Sequence, residues 1–157
     1  MTDYLHVNEE KTAEQNLEDV VSFLTHVPAW YLATIDANDP EQPRVRPFSF
    51  AAAAEGKLWF CTSRDKDVWA ELAAHPKFEL SGWKPGTCWI QLSGEAELAC
   101  DDCVPEAVRQ AGFEHMVGLG EAHESAHDGR LAFVIVTRGV ARFCDIDGDE
   151  RRVVLSA

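Results

Sequence analysis

The chain has 157 residues, 46% of them apolar, enough to bury one core of its own. A net charge of -13 sets it against nucleic acid and anionic membrane surfaces, whose phosphates it would repel. No run of about eighteen apolar residues offers a membrane span, and Met1-Thr2-Asp3-Tyr4 has neither the basic nor the apolar region of a secretory leader. Five cysteines, at 61, 88, 100, 103 and 144, form no regular disulfide framework, so a reducing, cytoplasmic setting is expected.

Taken in order, residues 1 to 12 are polar and predict a frayed start to a single domain spanning 1–157. From Thr12, Leu17, Val20, Val21 and Leu24 recur at helical spacing, and the helix stops before Pro28. Ala29 to Ile35 is rich in aromatic and β-branched types and reads as a strand. After the Asn38-Asp39-Pro40 turn, Arg44 to Ala51 alternates as a half-buried strand. Glu55-Gly56 turns it back into a strand over Lys57 to Thr62. A short helix over Asp65 to Ala74 is expected, with Ser63 as its cap and Val68, Trp69 and Leu72 as its apolar stripe. Strands follow at Phe78 to Trp83, Thr87 to Leu98 and Leu131 to Asp145. Val104 to Ala111 reads as a helix after Pro105, and Arg152 to Leu155 closes the sheet after an Asp147-Gly148 hairpin. Six or seven strands joined mostly by short turns predict an antiparallel barrel or sandwich in the α+β class.

The charge is uneven. Arg44, Arg46, Lys57, Arg64 and Lys66 share a stretch with only Glu55 and Asp65 as acids, a local excess of +3. Period two puts Arg44 and Arg46 on one strand face. The strand expected to return beside them ends in Thr62-Ser63 at a helix start, with Lys66 one turn on. Hydroxyls, free amides and cations together are what a phosphomonoester needs. A capped helix with surface bases is the plainer alternative.

The order Pro43-Arg44-Val45-Arg46-Pro47, Gly56-Lys57-Leu58-Trp59-Phe60-Cys61-Thr62-Ser63, Lys66, His75-Pro76-Lys77-Phe78, Trp83 and Ile90-Gln91-Leu92-Ser93-Gly94 resembles the pyridoxamine 5'-phosphate oxidase-like flavin-binding split-barrel family. The resemblance runs over most of residues 17 to 145 and is to small uncharacterised members, not to the oxidase itself. The oxidase ends in a proline- and arginine-bearing tail that grips its substrate; here the chain ends Arg151-Arg152-Val153-Val154-Leu155-Ser156-Ala157. The resemblance implies an antiparallel split barrel, a homodimer and an FMN site at the dimer interface. Arg44 and Arg46 would meet the phosphate or ring edge. Pro47 and Phe48 would pass under the ring system with their backbone, and Val45 would be a further cofactor contact. Cys61 lies on the flavin strand, where alternation equally makes it a buried filler. Thr62, Ser63 and Lys66 would hold the phosphate. Trp89 and Gln91 would come from the second chain, although the oxidase carries a glutamine about where Trp89 stands. The implied function is FMN-dependent oxidoreduction on an unknown substrate. The alternatives are a flavin or haem carrier or sensor on the same barrel, or a scaffold that has lost its cofactor. No side chain is an obvious proton donor or nucleophile.

Two further motifs read as structural. His123-Glu124-Ser125-Ala126-His127 has the H-e-x-x-h spacing of a zinc helix, and His115 or Glu114 could supply a third ligand. Its flanks, Gly118, Gly120 and Gly129 with Glu121, Asp128 and Arg130, predict a polar loop or short exposed helix, and no metal is expected. Cys100-Asp101-Asp102-Cys103 lacks both a second ligand pair and a βαβ context, so a strand running into a helix start is expected there. The tryptophans at 30, 59, 69, 83 and 89 read mostly as core, with one or two left for a ring or an interface.

Overall fold

The computed structural model describes residues 2–155. In chain order it holds α1 (Ala13–Thr25), β1 (Trp30–Ile35), β2 (Pro43–Phe48), β3 (Ala51–Ala54), β4 (Lys57–Ser63), α2 (Asp67–Ala74), β5 (Lys77–Lys84) and β6 (Cys88–Leu98). A single 3-10 turn (Asp101–Cys103), α3 (Glu106–Gly118), β7 (Leu131–Cys144) and β8 (Glu150–Leu155) complete it. The strands form one antiparallel sheet in the order β2-β1-β5-β6-β7-β4-β3, with β8 paired to β7. β2 and β3 end the order and do not pair with each other, so the sheet stays open. This is the split barrel of α+β type that the sequence predicts. Among the described residues, no helix is long and apolar enough to cross a membrane.

One expected pairing is corrected. Residues 44–51 are not a single strand, and the segment bearing Arg44 and Arg46 does not pair with Lys57–Ser63. The Glu55-Gly56 turn, with φ of 55° and 72°, closes a hairpin that pairs only Ala51–Ala54 with Lys57–Phe60. β2 pairs instead with β1, from Trp30↔Phe48 to Ile35↔Pro43. Ser49 and Phe50 carry the chain from one edge of the sheet to the other, and that crossing places β2 and β4 on the two sides of the split.

The core explains the strand periodicities. Phe23 and Leu24 of α1 join Trp30, Leu32, Phe60, Leu80, Ile90, Leu92 and Phe143 inside the curl, all at most 1% exposed. A smaller cluster under α3 holds Phe50, Trp59, Cys61, Val108, Met116 and Phe133. Gly94 faces Gly139 next to an irregularity of the β6–β7 pairing at Glu95/Ala96. A Cβ on Gly94 would lie 2.8 Å from the Arg138 carbonyl and 2.8 Å from the Phe78 ring, so only glycine allows the strands this close.

The start of the chain has no regular element, yet the expected fraying does not reach Tyr4. Its ring is 2% exposed and stacks on Phe143 at 5.6 Å, and its hydroxyl lies 2.8 Å from Ser22 Oγ. Arg151 Nη1 donates to its carbonyl at 2.7 Å.

Candidate functional site

A cleft of about 960 Å³ opens at the split. Its walls are β2 with Ser49 and Phe50, the end of β4, the start of α2, and the segment that follows α3. Of the expected site residues, Arg44, Val45, Arg46, Pro47, Phe48, Cys61, Thr62 and Lys66 all line it. Ser63 is fully buried behind it, and Trp89 and Gln91 lie elsewhere on the sheet.

The α2 end of the cleft differs from the expected cap. The helix starts at Asp67, not Asp65, and Lys66 with extended backbone is its N-cap, not a residue one turn inside. Ser63 does not cap it; no side chain does. The reason is that Ser63 is still in β4, paired with Leu131 of β7, and its hydroxyl lies 3.4 Å from His123 Nε2. The free amides of a helix N-terminus therefore open on the cleft at Asp67 and Val68 without a side-chain partner. Beside them Thr62 is 1% exposed, and its Oγ1 is one of two buried side-chain polar atoms without a hydrogen-bond partner among the described residues. Buried hydroxyls are almost always bonded, so an unpaired one lining a cleft marks where an acceptor would sit.

The cations are not free. Arg46 donates to Thr34 Oγ1 at 2.7 Å and to the Leu32 carbonyl at 3.1 Å, and it forms an ion pair with Glu71 of α2. The Glu71 side chain is 4% exposed and also accepts from Thr34 Oγ1 at 2.7 Å, so this network fixes α2 against β1 and β2. Arg44 pairs with Asp36 at 2.9 Å across the hairpin. The backbone N–H of Asn38 and then the Arg44 guanidinium hold the Asp36 carboxyl below its ordinary range. Lys66 pairs with Glu121, which lies just past α3. The local excess of +3 along the chain thus disappears in space: Asp36, Asp65, Asp67, Glu71 and Glu121 face Arg44, Arg46 and Lys66 around one cleft.

Two of these acids are marked by the sequence. Glu71 sits three residues after Val68 and one before Leu72, so it falls on the apolar face of α2, where a carboxylate needs a partner. Asp36 and Arg44 flank the β1–β2 turn and so face each other. Glu121 comes from a part of the chain whose pattern predicts no element.

That segment, residues 119–130, has no helix, so the H-e-x-x-h spacing builds no zinc helix. It is the polar, largely exposed loop expected; His127 is exposed against Glu106, and the His123 side chain departs by being fully buried. His123 Nδ1 lies 2.8 Å from Asp128 Oδ2, and its Nε2 faces Ser63 and Glu121. Desolvation pushes the Asp128 carboxyl up. Hydrogen bonds from Leu131 N–H, His123 and Arg130 N–H outweigh it and leave the group at about 2. Asp128 and His123 thus lock the segment that carries Glu121 to the cleft. Ser49, on the opposite wall, lies 2.7 Å from His115 Nε2.

Cys61 is buried at the cleft wall, and burial, with Glu121 next in effect, pushes its thiol up to about 12. Trp30 and Trp59 are core, but Trp83 is 65% exposed. Trp89 pairs with Trp83, and Gln91 with Ser81, on the outward face of the sheet.

The model of the family described as pyridoxamine 5'-phosphate oxidase matches residues 17–144. Among solved structures the chain is similar to a NimC/NimA family protein from Clostridium acetobutylicum, at 31% identity and a TM-score of 0.76, covering 91% of this chain and 94% of that one. It shares its fold with a heme binding protein from Mycobacterium smegmatis (14% identity, TM-score 0.62, 93% of this chain and 59% of that one). It shares it also with an F420 reductase (17% identity, TM-score 0.53, 73% of this chain and 89% of that one). No curated protein matches the chain in sequence. The match over most of its length, on an open antiparallel sheet of the same architecture, shows that the chain belongs to the pyridoxamine 5'-phosphate oxidase-like family.

Proposed function

We propose that this protein binds FMN in the cleft at the split, as a homodimer, and serves as a cytoplasmic flavin-dependent oxidoreductase. The observation that carries the reading is the unpaired, buried Thr62 Oγ1 beside the uncapped start of α2 and Lys66. This polar seat suits a phosphate: one hydroxyl donor, helix amides and an ammonium converge on one end of the cleft. The rest of the cleft is suited to a flat ring system, with Val45, Pro47, Phe48, Phe50, Met116 and Leu119 as apolar walls. Bound FMN would supply the hydride or electron transfer; the chain's part is to hold and orient it. Arg46 would act through its bond to Glu71, by keeping α2 and β2 at a set separation around the ligand.

The homodimer reading rests on the outward face of the sheet. Tyr31, Trp83 and Val154 stand there at 53%, 65% and 61% exposure, with Trp89 and Gln91 among them. Exposed apolar side chains set among Glu79, Arg142 and Arg152 suit burial by a second copy, which would bring Trp89 and Gln91 to the partner's cleft.

The visible spectrum of the freshly purified protein tests the reading. Flavin bands, or quenching of FMN fluorescence on titration, are expected. A colourless protein that leaves FMN fluorescence unchanged overturns it, and a Soret band moves the cleft to haem. Lys66→Ala should weaken FMN by about 1–3 kcal/mol, roughly five- to 150-fold, if a charge-assisted bond is lost. Bleaching of the bound flavin by NADH or NADPH without oxygen separates an enzyme from a carrier.

A further inference from the structure

The five cysteines fall into two groups. Cys61, Cys88 and Cys144 are buried and unbonded, and burial raises all three thiols. Cys100 and Cys103 are exposed and bonded to each other, where the sequence predicts only a strand running into a helix start. They bracket the 3-10 turn between β6 and α3, with their Cα atoms 5.2 Å apart.

A bond across so short a loop constrains the unfolded chain least of all, because loop-closure entropy grows with loop length. The turn it spans is also held without it. Cys103 N–H donates to the Cys100 carbonyl at 3.0 Å, and Arg109 Nη2 to the Asp101 carbonyl at 2.9 Å. Arg64 Nη2 donates to Asp101 Oδ1 at 2.8 Å. Arg109 is itself 4% exposed and anchored to the Ala126 carbonyl at 3.1 Å. Opening the bond therefore leaves both sulfurs on a backbone still positioned to reclose it. No other thiol of the chain is exposed to intercept either sulfur.

We propose that Cys100–Cys103 is a reversible thiol–disulfide exchange site whose co-reactant is an external dithiol. A thiolate of the dithiol attacks one of the two sulfurs. The S–S bond breaks, and the other cysteine leaves as a thiolate and takes up a proton. The second thiol of the dithiol then attacks the mixed disulfide and releases the remaining cysteine. The two cysteines gain two electrons and two protons, and the dithiol becomes a disulfide. Asp101 and Asp102 make the turn anionic, so an uncharged dithiol reacts faster than anionic glutathione at equal thiolate concentration.

Native protein, oxidised and then exposed to graded dithiothreitol, is trapped with a maleimide, and the tags are mapped by peptide mass. The oxidised protein should carry no tags. Millimolar dithiothreitol should place tags on both Cys100 and Cys103 while the circular dichroism spectrum stays native, and removal of dithiothreitol in air should abolish them. The double variant Cys100→Ser with Cys103→Ser should take no tag under the same treatment. Tags on the untreated protein, tags on Cys61, Cys88 or Cys144 instead, or tags that need denaturant each overturn the proposal. None of these readouts depends on what the cleft binds.

Discussion

Thr62→Val separates a structural hydroxyl from a ligand-binding one. Thr62 Oγ1 is buried and unpaired, and a hydroxyl in that state costs about 1–3 kcal/mol relative to one that is bonded. Valine keeps the branched shape that β4 favours and removes the polar atom, so the ligand-free protein should gain stability. At about 2–4 °C per kcal/mol for a chain of this size, Tm should rise by at least about 2 °C. FMN binding should move the other way. Losing one hydrogen bond to a charged phosphate costs about 1.5–3 kcal/mol, so the Kd should rise roughly ten- to a hundredfold. Thr62→Ser keeps the hydroxyl and should keep most of the affinity. Differential scanning fluorimetry with and without FMN, alongside a fluorescence titration, reads both signs. A variant that melts lower without FMN and binds it as tightly as the parent would refute the reasoning, because the hydroxyl would then have its partner inside the fold.

Three other outcomes follow from the same geometry. Glu121→Gln removes the carboxylate that holds Lys66. In the partly exposed setting of this pair, FMN should bind more tightly by up to about 1 kcal/mol, and an unchanged or weaker Kd at low salt counts against it. Glu71→Gln leaves the Arg46 guanidinium without its anion in a largely buried network, so urea denaturation should show a loss of about 3 kcal/mol even in the absence of any ligand. The Asp128 carboxyl sits at about 2 in the folded chain against an ordinary 3.8, so its contribution is complete above about pH 4 and disappears as pH falls toward 2. Asp128→Asn should flatten that part of the acid-stability curve, and a curve parallel to the parent's would contradict the assignment.

Most of the strands were legible because each face of this sheet meets a different solvent. Period two in Trp30–Ile35 and Lys77–Lys84 reports a core on one side, and the turns at Glu55-Gly56 and Asp147-Gly148 declare themselves by backbone chemistry. The failure over residues 44–51 has an equally local cause. β2 alternates in sequence, β3 is a run of four alanines with no period of its own, and Ser49-Phe50 carries no proline or glycine to mark the break between them. Propensity is local, but which strand takes which partner is decided by competition among all of them, and here β1 won β2 through six residue pairs. The segment after α3 was opaque for a different reason: its order comes from Asp128, His123 and Arg130 binding backbone and side chains, which leaves no periodic trace.

Charge along the chain was the least transferable signal, and its failure bears on how the cleft would work. The five bases at 44–66 read as an anion site, but Asp36, Glu71 and Glu121 reach Arg44, Arg46 and Lys66 from three other places in the fold. A phosphate entering this cleft would not simply neutralise cations; it would have to exchange with a carboxylate already there. Arg46 cannot make that exchange without abandoning the buried Glu71, and Arg44 is held by Asp36 of the β1–β2 hairpin. Lys66 can, because its pair with Glu121 is the one at the α2 start and is partly open to solvent. The hydroxyl and the helix amides carry no such competitor. Recognition of a phosphate here would therefore fall on Thr62 and the first turn of α2, with Lys66 as the exchangeable charge and Arg46, through Glu71, as the frame that keeps α2 and β2 apart.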